Sequence, residues 1–68
     1  MDRTEILRRR LELYMAAEEK ILNAQEYTID SRRLRRADLP YVQKKITELS
    51  DEIRLLEAGN GNRKAVVF

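Results

Sequence analysis

Apolar side chains recur along the first third of the chain at Ile6, Leu7, Leu11, Tyr14, Ala17, Ile21 and Ala24, with Met15 and Leu22 at the flanks. At about 100° per residue these positions fill one broad arc, and Arg8, Arg9, Glu12, Glu19 and Asn23 lie opposite. The spacing predicts a helix over about residues 3–24. Asp2 followed by Glu5 is a capping box that opens it. Glu18 falls inside the apolar arc. Two readings fit it: an overhanging, wet part of the helix, or a partly buried carboxylate paired with an arginine of the hairpin.

A second and narrower stripe follows. Leu39, Val42, Ile46, Leu49, Ile53 and Leu56 are spaced by threes and fours, while Gln43, Lys44, Thr47, Glu48 and Asp51 point away. This predicts a helix over about 38–58. Pro40 lacks an N–H and disfavours helical geometry at the residue before it, which puts Leu39 outside the helix, Asp38 at the N-cap and Pro40 in the first turn. A start nearer Arg36 would cost a backbone bond at Pro40. Gly59 is expected to end the helix.

Between the helices the period changes from near four to two. With Asp30-Ser31 as a two-residue turn, Ile29 faces Arg32 and Tyr27 faces Leu34, so Tyr27, Ile29 and Leu34 share one face. This predicts a β-hairpin over about 27–35. Neither turn residue takes positive φ cheaply, and a lone hairpin is marginal in water, so this one needs the helices to lie on. The expected fold is α+β: two antiparallel amphipathic helices with a two-stranded antiparallel sheet in one domain over residues 1–58, then a flexible tail at 59–68. Its expected core is Leu7, Leu11, Tyr14, Ile21, Tyr27, Ile29, Leu34, Val42, Ile46, Leu49, Ile53 and Leu56.

Composition narrows the function. The 68 residues contain neither cysteine nor histidine, which excludes disulfides, thiolate zinc sites and histidine acid–base chemistry. The two glycines, Gly59 and Gly61, follow a helix rather than opening one, so they are not a phosphate-binding loop. Ser31 and Ser50 have no base to activate them. No catalytic, cofactor-binding or metal-binding residue is assigned, no cofactor is expected, and the chain is expected not to be an enzyme. The longest apolar run, Leu13 to Ala17, is far too short to span a bilayer, and the first ten residues lack the apolar core of a signal peptide. A soluble intracellular protein with no membrane partner is the expectation.

Charge changes the picture more. Residues 27–45 carry six bases and two acids, a local charge of +4, within a chain of net charge +2. Arg32, Arg33, Arg35 and Arg36 sit on or just after the hairpin, and Arg8, Arg9 and Arg10 form a second group. Guanidinium forks suit carboxylates and phosphates alike, so the hairpin group is the candidate contact surface for a protein partner or DNA. The plainer reading is a solvated surface salted by acidic neighbours, Glu5 with Arg9 among them. Arg63, Lys64, Val66, Val67 and Phe68 follow a glycine spacer. Either they fold back over the helices, or they form a docking segment for a partner.

The order of these features resembles that of the W-type head–tail joining proteins of tailed phages, prophage-encoded relatives in particular. An amphipathic helix precedes a Tyr27-Thr28-Ile29 hairpin, and an Arg32-x-Leu34-x-Arg36-Ala37-Asp38-Leu39 entry leads into a second helix. The resemblance spans about residues 5–58. Relatives tend to carry Thr or Ser before the Arg-Ala-Asp, where this chain has Arg35. The resemblance implies an α-β-β-α monomer that joins an oligomeric ring at the phage neck, under the portal protein, and supports the next connector or the tail. It implies assembly in the bacterial cytoplasm, residence at the virion neck and no cofactor. It gives Arg32, Arg33, Arg35 and Arg36 a place near packaged DNA, with non-specific contact, and gives the tail residues a docking role.

Overall fold

A computed structural model describes residues 2–61, with side chains as far as Ala58. Helix α1 spans Arg3–Leu22, strands β1 and β2 span Tyr27–Ile29 and Arg32–Leu34, a 3-10 turn covers Arg36–Asp38, and helix α2 spans Leu39–Gly61. The fold is helix–hairpin–helix, α+β, with one two-stranded antiparallel sheet. Tyr27 pairs with Leu34, Thr28 with Arg33 and Ile29 with Arg32. The residues from Arg63 to Phe68, including the expected docking residues Arg63, Lys64, Val66, Val67 and Phe68, lie outside the described part.

The Asp2 carboxylate accepts the Glu5 backbone N–H at 2.9 Å and caps α1. The other end departs from expectation, since the helix stops at Leu22 rather than near Ala24. Ala24 takes a left-handed φ of 63°. Its N–H donates to the Ile21 carbonyl, and the Gln25 N–H reaches back to the Lys20 carbonyl, each at 2.9 Å. This is a Schellman closure, which satisfies carbonyls the last turn would leave bare. Alanine bears a steric cost there that glycine does not. Ala24→Gly is therefore expected to stabilise the fold by about 1 kcal/mol, raising the denaturant midpoint without changing the slope.

The start of α2 also corrects the sequence reading. Asp38 is not the N-cap, and Leu39 is helical at φ −56° and ψ −42°. The capping position is Arg35, whose backbone is extended at φ −129° and ψ −171°. Its N–H donates to Asp38 Oδ2 at 2.9 Å, while the Asp38 N–H donates back to the Arg35 carbonyl at 2.7 Å. Asp38 thus closes the reverse half of a capping box, a bond that any residue with a backbone N–H can make from position 35. The 3-10 turn also resolves the proline. The Leu39 N–H donates to the Arg36 carbonyl. That carbonyl is the one a non-proline residue 40 would have bonded, so no acceptor is orphaned. At the far end α2 runs through Gly59, the expected terminator, to Gly61. Among the described residues no glycine has the positive φ that a glycine cap uses.

The buried core comprises Leu7, Tyr14, Ala17, Ile21, Ile29, Leu34, Val42, Leu49 and Ile53, with Leu11, Tyr27, Leu39, Tyr41, Ile46 and Leu56 partly buried against it. Gln43 hydrogen-bonds Glu18 near one end of the helix pair and Arg3 meets Glu52 near the other, as antiparallel packing requires. Arg3–Glu52, at 2.6 Å, and Arg8–Glu57 tie the helices together. Such exposed pairs contribute about 0–1 kcal/mol each. Ile6 and Ala24, both on the arc read as apolar, are exposed. The first lies beside the start of α1 and the second in the Schellman turn, where the helical period no longer holds.

Candidate interaction surface

Strand alternation fixes the direction of the hairpin arginines. Residues paired across a two-stranded sheet share a face, so Arg32, opposite Ile29, points the same way as Leu34, toward the helices. A guanidinium cannot enter an apolar core, and Arg32 instead lies over the Tyr41 ring, 4.2 Å from its centroid. Tyr41 packs edge-on against Tyr14 at 6.3 Å between centroids. Arg10 stands 5.8 Å from the centre of the Tyr14 ring and donates to Asp30 Oδ2 at 3.1 Å. A continuous series, Asp30–Arg10–Tyr14–Tyr41–Arg32, therefore runs from the hairpin turn through both helices and back to β2.

The two turn residues at the head of that series, Asp30 and Ser31, have φ of 51° and 69°. Positive φ at both central positions suits the right-handed twist of a tight hairpin, although neither residue adopts it freely. The Asp30–Arg10 pair holds the turn against α1. The hydrogen bond that Arg10 donates to the Asp30 carboxylate raises the guanidinium above its ordinary pKa.

The remaining arginines divide into two kinds. Arg33, on the outward face with exposed Thr28, lies 3.5 Å from Glu26, and Arg35 lies 3.9 Å from the same carboxylate. Arg36 has no carboxylate partner among the described residues. With Arg35 it lines a notch of about 300 Å3 beside Ile21, Ala24, Gln25 and Glu26. In the α1 group Arg8 pairs with Glu57 and Arg10 with Asp30, whereas Arg9 borders a shallow groove of about 530 Å3 that it shares with Glu12, Leu13 and Tyr27. Glu18 is half-buried and accepts from Gln43 Nε2 at 3.1 Å, so its partner is an amide rather than an arginine.

Tyr41 is the residue that periodicity overlooked. It stands next to Val42 at the border of the stripe and outside the three–four spacing. The signal lay in the hairpin instead, since the register that puts Leu34 inward also puts Arg32 inward, where it needs an aromatic or acidic partner. Burial pushes the Tyr14 phenol above its ordinary 10.0; Tyr41 adds to the rise and Arg10 opposes it. A phenol held protonated by folding contributes stability that is fully present below pH 10 and is lost as pH rises through the folded value. Alkaline titration followed by circular dichroism is expected to show that loss above pH 10, with a weaker dependence in Tyr14→Phe.

Among the described residues no cluster of acidic side chains could hold a metal ion, and no helix is long and apolar enough to cross a membrane. The described residues define a small helix–hairpin–helix protein that presents charge, a shallow groove and a notch. The chain belongs to DUF6148, a family of unknown function, which it matches over residues 1–68. No curated protein and no solved structure matches it.

Proposed function

We propose that this chain is a structural protein that joins head to tail in a tailed phage or prophage, adding as a ring beneath the portal protein and carrying the next connector or the tail. One observation carries this reading. Residues 27–39, on which the resemblance to head–tail joining proteins rests, form the hairpin and the capped entry to α2 in an α-β-β-α chain. The Arg35 position, where relatives tend to carry Thr or Ser, still serves as the cap, because the bond to Asp38 comes from its backbone.

The alternative, a small nucleic-acid-binding protein using the arginine hairpin, gains less support. Arg32 is stacked on Tyr41, and Arg33 and Arg35 share Glu26. Phosphate binding would have to compete with those contacts, so duplex affinity is expected to be weak and steeply salt-dependent. In the neck reading the protein is a monomer by itself and docks through residues 63–68. Deleting those six residues should abolish co-purification with the portal protein of the same phage while leaving the thermal unfolding curve in place. Portal binding that survives the deletion would remove the docking role of the tail. Tight duplex binding lost on changing all four hairpin arginines to alanine would favour the alternative.

A further inference from the structure

We propose that the notch between the end of α1 and the 3-10 turn is an oxyanion site that takes a side-chain carboxylate of a partner protein, held by Arg36 and Arg35. The site stands on the chemistry of the notch and does not depend on the neck reading.

Both sides of this notch are closed turns. On one side the Schellman turn fixes the chain at Ala24 and Gln25, whose N–H groups bond the Ile21 and Lys20 carbonyls at 2.9 Å each. On the other, the reciprocal bonds between Arg35 and Asp38, at 2.9 and 2.7 Å, fix the backbone from which Arg35 and Arg36 project. The notch, about 300 Å3 in volume, is therefore framed before any ligand arrives, which lowers the ordering cost of binding. Ile21 and Ala24 give it an apolar side, Gln25 adds an amide, and Arg35 and Arg36 supply guanidinium forks that match a carboxylate edge.

The contacts already made there leave those forks open. Glu26 lines the notch and lies 3.9 Å from Arg35 Nε and 3.5 Å from Arg33 Nε. Both separations exceed the roughly 2.7–2.9 Å of a charge-assisted hydrogen bond. Arg36 is exposed and has no carboxylate partner among the described residues. Arg33, Arg35 and Arg36 outnumber the nearby acids Glu26 and Asp38, and the Asp38 carboxylate is occupied by the Arg35 N–H outside the notch. An incoming carboxylate therefore bonds Arg36 edge to edge and reaches Arg35 without displacing a formed side-chain hydrogen bond. Glu26 decides which anion enters. A duplex brings a row of phosphates, about one charge per 1.7 Å of helix axis, toward that fixed carboxylate. A single carboxylate on an apolar stem meets the repulsion once, and its methylene groups find the side formed by Ile21 and Ala24.

The test is an NMR titration of the isolated protein with sodium acetate, with sodium phosphate and with a short DNA duplex, at neutral pH and constant ionic strength. Acetate is expected to move the resonances of Gln25, Glu26, Arg35 and Arg36 saturably, with a dissociation constant on the order of 10 mM, and phosphate to move the same four. Arg36→Gln should weaken acetate binding about fivefold, the worth of one exposed ion pair, and Glu26→Gln should strengthen it by about the same factor. Arg54→Gln removes an equal charge roughly 20 Å along α2 from its start and should leave the affinity within about twofold. The duplex should leave the four notch resonances in place. Acetate shifts that do not saturate would overturn the proposal, as would an Arg54→Gln loss equal to that of Arg36→Gln, which would mean a diffuse positive field. Weaker binding in Glu26→Gln would overturn it too. A duplex that moves the same four resonances would assign the notch to nucleic acid instead of a protein carboxylate. No portal protein enters this assay, so loss of portal binding with the acetate site intact would count against the neck reading alone.

Discussion

Leu34→Ala should destabilise the protein by about 3 kcal/mol, the cost of a truncated leucine in a site that cannot collapse around the void. Leu34 is fully buried at 0% exposure, and together with Ile29 it is what β1 and β2 place between the helices. The hairpin has only three residues per strand, so it has no stability to spare once its anchor is cut. A chain of this length is stable by roughly 3–10 kcal/mol, which makes the expected loss a third of the total or more. Urea unfolding followed at 222 nm measures it. Leu55→Ala is the control, since that side chain is 71% exposed and should shift the midpoint by less than about 0.5 kcal/mol. Equal effects at the two positions would mean that the hairpin is not packed as described.

Tyr41→Ala is expected to cost about 2–3 kcal/mol, because one ring serves two neighbours. It presents its face to Arg32 and meets Tyr14 edge-on, so its loss severs the series that links the hairpin to both helices. Tyr41→Phe keeps the ring and should fall within about 0.5 kcal/mol of the wild type. A double-mutant cycle with Arg32→Ala isolates the guanidinium–ring term, expected at about 0.5–1 kcal/mol for a pair still open to water. A coupling of zero would return Arg32 to the free surface and make it available to a partner.

Much of this architecture could be read from the chain because burial imposes period. The spacing of Leu39, Val42, Ile46, Leu49, Ile53 and Leu56 admits one helical face, and the alternation of Tyr27, Ile29 and Leu34 admits one strand register. What escaped is what period does not encode. Ala24 carries no mark of the left-handed conformation it adopts, since glycine is the usual sign of that turn. Arg35 caps through its backbone, and a backbone bond leaves no trace in the residue type. Pro40 tolerates an early helix start only because a 3-10 turn redirects the Arg36 carbonyl, a local solution that propensities do not specify. The engagement of Arg32, Arg33 and Arg35 is a matter of distance between elements. Sequence showed four arginines in five positions; the folded chain leaves Arg36 as the one without an aromatic or carboxylate partner among the described residues.

That sorting changes what the hairpin offers to a partner. Its apolar face completes the core, Arg32 braces it, Glu26 tempers Arg33 and Arg35, and Arg36 remains available for contact. A neck protein needs a rigid surface that meets identical copies in a fixed relation, and a braced hairpin fits that requirement better than a mobile basic arm would.

The most direct measurement is native mass spectrometry of the chain mixed with the portal protein of the same phage. If the chain is a neck adaptor, it is monomeric by itself at micromolar concentration, and the mixture gives one complex with a fixed, ring-like number of copies per portal. A chain that remains monomeric beside an intact portal ring would contradict that role.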